Sequence, residues 1–334
     1  GEYYHLYING MYWGLYQTEE RCDSRYAASY YGGDKDDFDA VKADGDTGDM
    51  YAVDGTRDAY DSLWSAINSG VSANSAYFAV QGMNSDGTEN SGYTKLLDVD
   101  NVIDYMLLVY FTANRDSPIG PPQQATMPRN LNAIYDRNDP DGFKFVAHDN
   151  EHSLEIMEGV NHNRLSQSLS TTFNGVDYFT PWWMHLKLMN NAEYKLRFAD
   201  HVHEHFFNSG TLTAAKTASR LSARRDEIYA AVVAESARWG DSQSTTPRTR
   251  NGDWLSSVNW LLNTYMPQRT AIVLSQIVAK GWYPSAAAPE FSQHGGSFDS
   301  GFSVTISGSG TIYYTTDGSD PRAVGGSVSG STYS

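Results

Sequence analysis

Residues 98–113, DVDNVIDYMLLVYFTA, constrain this chain more than any other stretch. Beyond the first turn the segment is apolar on nearly every face. A helix of that kind is stable only when other protein surrounds it. It is too short to cross a membrane, which takes about 18 or more uncharged apolar residues, and no other stretch approaches that length. The segment therefore predicts a buried helix, with Asp98 or Asp100 as its cap, around which the rest of the chain must wrap. With 334 residues the chain is long enough to do this, and the length predicts two domains with room for a short extra module. A composition of 40% hydrophobic and 13% aromatic residues argues against general disorder.

The flanking sequence reads as α+β. YYHLYI and MYWGLYQT, joined by Asn9-Gly10, predict a β-hairpin over 3–20. Residues 23–31 predict a short helix capped by Asp23, GGDKDD a turn, FDAVKA (38–43) a strand, and the Gly/Asp-rich 44–56 a loop. Residues 57–81 are helical by period, with Tyr60, Leu63, Trp64 and Ile67 on one face, and 84–92 read as a loop. After the apolar helix comes a Pro/Gln-rich loop, SPIGPPQQATMPRN, then two strands, NAIYDR and FKFVAH, joined by the turn NDPDG. From 181 to 283 the pattern is mostly helical, with helix stops expected at Gly210, Gly240 and Gly281. The composition changes abruptly after Pro284. Residues 284–295 read as a linker and 296–334 as a small all-β module that breaks off before it closes. The chain starts at Gly1 without an initiator Met or a basic-then-apolar leader, so it reads as a fragment or a processed chain.

Charge and cysteine content narrow the chemistry. Lys+Arg is 24 and Asp+Glu is 40, and 24 − 40 gives a net charge of −16. That balance argues against non-specific nucleic-acid binding, although a bound divalent cation can reverse the local charge logic around a phosphate. The single cysteine, Cys22, excludes an internal disulfide and a Cys-rich zinc site, and it reads as a semi-buried thiol near a strand end. The chain has no Walker loop, no GxGxxG and no GxSxG. A glycosidase pair of carboxylates stays open, because 40 acids offer many pairs.

Four groups of residues could carry chemistry. Asp116 lies just after the apolar helix, Asp149 and Glu151 just after the strand FKFVA, and Asn130 between them. Oxygen donors at the ends of rigid elements suit Mg²⁺, whose shell substrate phosphates complete. In kinase logic a loop Asp takes the acceptor hydroxyl, while an Asn and a post-strand Asp hold the metal. The competing reading is an ordinary Asp/Asn-rich surface loop. The second group, His148-Asp149-x-Glu151-His152, resembles a metal cluster in composition but lacks the one-face spacing of HExxH. The third is HVHEHF. His201, His203 and His205 step by two along a helix, do not share a face at that spacing, and are expected to be exposed or partly buried without a metal. The fourth is Lys42, with Glu20 and Arg21 nearby in sequence pattern. A strand Lys paired with a Glu anchors phosphates in kinases, whereas the plain reading is a solvated Lys on an edge strand.

At these residues the chain resembles the spore-coat protein H (CotH) kinase family. The marks are YING-MYWGLYQTEER, the VKADG strand, NRDSPIG with RNLNAIYDR, DGFKFVAHDNEHSL and AESARWGD. The segment GTIYYTTDGSDPR resembles a small β module associated with fibronectin-III and hexosaminidase C-terminal regions. The resemblance implies an atypical, two-lobed protein-kinase-like domain over 1–283, with an N-lobe part at 1–56 and a mainly helical C-lobe at 57–283. A partial β-sandwich module would follow. It implies Mg-ATP-dependent phosphoryl transfer to Ser/Thr hydroxyls of a protein, with Mn²⁺ as the alternative ion, in a secreted or cell-surface bacterial protein. Asp116 would be the catalytic Asp. Asn130 and Asp149 would hold metal, with Asn132 as the alternative Asn, and Glu151 would be an auxiliary metal-site acid. Lys42 and Glu20 would be the N-lobe phosphate contacts. The rival expectation is an inactive kinase-like surface or adhesion protein whose β module binds polysaccharide. A polysaccharide-acting hydrolase is a third reading, resting only on that module.

Overall fold

The computed structural model describes residues 1–43, 50–117, 130–154, 158–166 and 180–333. Residues 118–129 of the Pro/Gln-rich loop and 44–49 of the Gly/Asp-rich stretch lie outside the described residues; the remainder of that stretch is not the loop expected, because Met50–Asp54 pairs as a strand with Phe38–Ala43.

The apolar helix, Val99–Thr112, is the axis of the fold. It is the fourth of the helices, α4, and nine of its residues are buried, from Val99 to Phe111. Asp98 caps it, its side chain accepting from Asn101 N at 3.0 Å. Its walls are the helices Pro181–Leu188 (α5), Ala192–Phe206 (α6) and Met266–Ala279 (α10), together with the edge of a small sheet. One large cluster runs through all of them, including Met106, Tyr110, Trp182, Met184, Phe198, Val273 and Ile277. The apolar pattern thus has its physical cause: protein surrounds the helix on all but a narrow stripe through Asp104 and Leu108, which are exposed.

The sheet is antiparallel throughout, in the order β4-β3-β5-β6, from Met50–Asp54 (β4), Phe38–Ala43 (β3), Asn132–Asp136 (β5) and Lys144–Phe145 (β6). Lys42 therefore sits in an inner strand, not the edge strand expected for a solvated lysine. One sheet face feeds the large core through Val41, Ala133 and Tyr135. The other carries Phe38 and Ile134 into a smaller cluster with Cys22 and Ala27, the latter from Ser24–Tyr31 (α1).

The expected hairpin is present as Tyr3–Ile8 (β1) and Met11–Gln17 (β2). Asn9 and Gly10 turn at φ 51° and 78°, the left-handed pair that an Asn-Gly turn supplies. The hairpin packs on Ala231–Trp239 (α8). Trp239 Nε1 donates to Trp13 O at 2.5 Å, Leu15 N donates to Glu235 Oε2 at 2.6 Å, and the Trp13 and Trp239 rings meet edge-on at 5.4 Å. Two sequence marks some 220 residues apart, MYWGLY and AESARW, are thus one interface. Gly14 is part of the reason, because a Cβ there would lie 3.1 Å from Glu235 Oε2 and 3.2 Å from Trp239 Nε1.

Three expectations change. The helix over 57–81 is two helices, Asp58–Ser69 (α2) and Asn74–Ala79 (α3), because Gly70 at φ 108° ends the first. The strand FKFVAH pairs over only two residues. The helices from 192 onward end as expected at Gly240 and Gly281, but α6 stops at Phe206, before Gly210. The C-terminal residues form two small two-stranded sheets. They are fastened to the body by Arg322, whose Nη1 and Nη2 reach the Glu193 carboxylate at 2.7 and 3.0 Å, and by Gly325 N, which donates to Glu193 Oε1 at 3.0 Å.

Candidate functional site

The site begins where α4 ends. Ala113 closes the helix in the left-handed region at φ 54°. Asn114, buried, accepts from Asp116 N at 2.9 Å and donates from Nδ2 to Asn150 Oδ1 at 2.6 Å. Arg115 N donates to His152 O at 3.0 Å, and Leu154 N donates to Thr112 O at 2.8 Å. These bonds lace the loop after β6 to the end of the central helix, so two segments distant in sequence present one surface.

On that surface the Asn130 amide is the link. Its Nδ2 lies 3.1 Å from Asp116 O, 3.2 Å from Asp116 Oδ2 and 3.3 Å from Asp149 O. Asp116, Asn130 and Asp149 are therefore neighbours. Six non-glycine residues among those described have left-handed backbone, and Ala113, Asn130, Asp149 and Leu154 of them surround this point. Such conformations cost about 1–2 kcal/mol for an ordinary residue and less for Asn or Asp, and they concentrate at functional sites.

A cleft of about 650 Å³ opens on the Asp149 side of this junction; Asp149 and Glu151 line it, whereas Asp116 and Asn130 are not among its described lining residues. Glu19, Glu20, Asp149 and Glu151 line it with Cys22, Tyr26, Val146 and His148, and no Lys or Arg is among the described lining residues. Four carboxylates in one hollow exclude a bare polyphosphate and call for a cation. Among the described residues, the carboxylates of Asp116, Asp149 and Glu151 do not gather into a three-ligand cluster. The set still fits Mg²⁺, which is usually held by one or two carboxylates, waters and substrate phosphates.

Lys42 and Glu20 are not joined. Glu20 Oε2 accepts from the Tyr30 hydroxyl at 2.5 Å, and among the described residues no ion pair engages Lys42. Register places Lys42 opposite Asn132 and Ala40 opposite Ile134, so Lys42 lies on the sheet face of Phe38 and Ile134. Cys22 and Val146 belong to the same cluster and also line the cleft. Asn132, nearly fully buried, leaves its Nδ2 without a hydrogen-bond partner beside that lysine. Cys22 is no nucleophile, because burial pushes its thiol up to about 12.

Support for the site comes from the far end of the chain. Arg269, fully buried, donates from Nε to Phe111 O (2.8 Å), from Nη2 to Tyr110 O (2.5 Å), and from Nη1 to Val160 O and His162 O (2.7 and 2.8 Å). Two of those acceptors belong to the last turn of α4, whose carbonyls have no partner within the helix. Nothing in the local sequence around Arg269 marks it.

The expectation for HVHEHF needs correction. His201 and His205 are four apart, share a face of α6, and meet Asp104 on α4. His201 Nδ1 lies 2.7 Å and His205 Nε2 2.9 Å from Asp104 Oδ1. Comparing neighbours two apart hid this pair, while the HxxxH spacing was readable. Burial disfavours charge on His201, but its hydrogen bonds to Asp100 and Asp104 outweigh that and raise it to about 9.

Fold and site together define an α+β protein with an acidic, oxygen-rich site between the end of its central helix and the edge of a small antiparallel sheet. The family model described as CotH kinase protein matches residues 1–273, and the chain belongs to the CotH kinase family. No curated protein and no solved structure matches it. Membership implies kinase-like function, and with it use of a nucleotide and a divalent metal in general terms. No helix among the described residues is long and apolar enough to cross a membrane.

Proposed function

We propose that this chain is an atypical, two-lobed protein kinase of the secreted or bacterial-surface type, transferring the γ-phosphoryl group of ATP to Ser or Thr hydroxyls of a protein. The observation that carries this reading is the Asn130 amide, which touches both Asp116 and Asp149 across two chain segments. In this reading Asp116 orients the acceptor hydroxyl and accepts its proton. Asp149 and Asn130 hold the metal, with Glu151 as a further acid at its edge and Asn132 as the alternative amide. Lys42, on the sheet face of Phe38 and Ile134, steadies the phosphates, and Glu20 lines the cleft. Mg²⁺, or Mn²⁺ in its place, would supply charge neutralisation on the phosphates, which this acidic cleft otherwise repels. Phosphoryl transfer of this kind depends mainly on positioning and electrostatics, and the Asn130 amide, set between the Asp116 carboxylate and the Asp149 backbone carbonyl, contributes to positioning.

Calorimetry and a transfer assay test the reading together. ATP with MgCl₂ or MnCl₂ is expected to bind the wild-type chain, and Asp149→Asn, which tolerates the left-handed backbone, is expected to lose the metal-dependent part. Asp116→Ala is expected to keep ATP binding and lose phosphate transfer to protein. Wild-type binding in Asp149→Asn, or surviving transfer in Asp116→Ala, would remove the roles assigned here.

One observation favours a second reading, an inactive kinase-like surface protein: among the described residues no Lys or Arg lines the cleft, and Lys42 and Glu20 do not pair with each other. Thermal shift separates the two. A ligand at 100 times its Kd stabilises the folded state by about 2.7 kcal/mol. The absence of any shift at millimolar ATP with metal would favour the inactive protein.

A further inference from the structure

We propose that Asp104, His201 and His205 form a binding site for one divalent transition-metal ion of the zinc type, clamping the central helix α4 to α6 away from the phosphoryl-transfer cleft.

Two histidines four apart on one helix face and a carboxylate from the facing helix present three ligand atoms, all within 4.8 Å of one another. Imidazole and carboxylate suit zinc-type ions, in contrast to the all-oxygen set around Asp116. With Zn–N and Zn–O bonds of roughly 2.0–2.2 Å, tetrahedral ligand atoms stand roughly 3.3 Å apart. His201 Nδ1 and His205 Nε2 stand 2.7 and 2.9 Å from Asp104 Oδ1. An ion therefore needs each of these contacts to open by about half an ångström.

The surrounding hydrogen bonds carry the argument further. A metal-bound histidine almost always gives its other ring N–H to a carboxylate, a carbonyl or a hydroxyl-type partner, which fixes its tautomer. Both histidines have such a partner on the far nitrogen. His201 Nε2 faces Asp100 Oδ1 at 3.2 Å, and His205 Nδ1 faces Thr211 Oγ1 at 3.0 Å. Asp100 is itself held by Arg197, through Nε at 2.7 Å and Nη2 at 2.6 Å. With both outer nitrogens donating, the inner lone pairs of two imidazoles and a carboxylate oxygen all converge on one point. Without an ion, a proton on His201 Nδ1 is shared with Asp104 Oδ1; one metal ion takes the place of that proton and gathers the three ligand atoms. The histidines are nearly buried while half of the Asp104 side chain is exposed, so the open side can take a water as the fourth ligand.

The test titrates the full chain with ZnCl₂ in buffer already holding saturating MgCl₂, which occupies the hard-oxygen site. One Zn²⁺ per chain is expected, with a visible d–d spectrum of tetrahedral type when CoCl₂ replaces it. His205→Gln, near the helix surface, is expected to stay folded and to lose roughly 100-fold or more in Zn²⁺ affinity. Thr211→Val is expected to lose roughly 10-fold through the outer partner alone. Mg-ATP binding is expected to be unchanged in both variants, so failure here is distinguishable from failure of the kinase reading. No Zn²⁺ uptake by the wild-type chain, or equal uptake by His205→Gln, overturns the site.

Discussion

Replacing Arg269 by Met is expected to loosen the junction on which the candidate site stands. The guanidinium donates to four backbone carbonyls, those of Tyr110, Phe111, Val160 and His162. Phe111 O keeps the Tyr265 hydroxyl at 2.8 Å, so the variant leaves three acceptors without this donor, Tyr110 O buried and Val160 O and His162 O part-buried. Each orphaned buried acceptor costs about 1–3 kcal/mol. Against this, the variant no longer has to desolvate a charge, and burial already lowers the basicity of Arg269. The balance places the loss at about 3–5 kcal/mol, the range for breaking a buried charged network. For a body of this size that corresponds to roughly 6–20 °C in Tm. Urea denaturation followed by circular dichroism reads it directly. Arg269→Lys keeps the charge but not the planar fork, and should lose roughly half as much. Because Asp116 follows the same helix end, phosphate transfer in Arg269→Met should fall even at temperatures where the chain stays folded. A loss under about 1 kcal/mol would show that solvent reaches those carbonyls and that Arg269 does not organise the end of α4.

Two further predictions concern parts remote from the cleft. His185 is fully buried, its Nδ1 2.7 Å from the Tyr194 hydroxyl, and burial lowers it from 6.5 to about 3. Below pH 6.5 the unfolded chain binds a proton that the folded chain refuses, so this contribution is complete above pH 6.5 and is lost as pH falls toward 3, at about 1.4 kcal/mol per pH unit. His185→Gln should remove that increment from the pH dependence of urea unfolding, and an unchanged slope would refute it. For the C-terminal residues, a double-mutant cycle on Glu193→Ala and Arg322→Ala should give a coupling of about 1 kcal/mol, with faster proteolysis between residues 284 and 289 in either variant. Zero coupling would mean that the pair does not hold those residues.

Much of the fold was legible because it is local. Asn9-Gly10 requires a left-handed turn, Asp98 caps the apolar helix, and the composition change after Pro284 marks the start of the small β sheets. The candidate site was legible as residue types at element ends, namely Asp116, Asn130, Asp149 and Glu151. That Asn130 touches both Asp116 and Asp149 was not, since it depends on how the loop after β6 lies against the end of α4. Arg269 and Asp104 were invisible for the same reason, as their partners lie more than 90 residues away.

By itself, the sequence determined that residues 98–113 must be largely enclosed, that a single cysteine leaves no internal disulfide, and that a net charge of −16 argues against non-specific nucleic-acid binding. Tertiary structure alone decided which acids share a cleft, that Lys42 and Glu20 stay apart, and that two histidines meet a carboxylate between α4 and α6. Periodicity and capping act within a few residues along the chain. Charge and ligand chemistry act across space, and only packing around the central helix brings those distant side chains within reach.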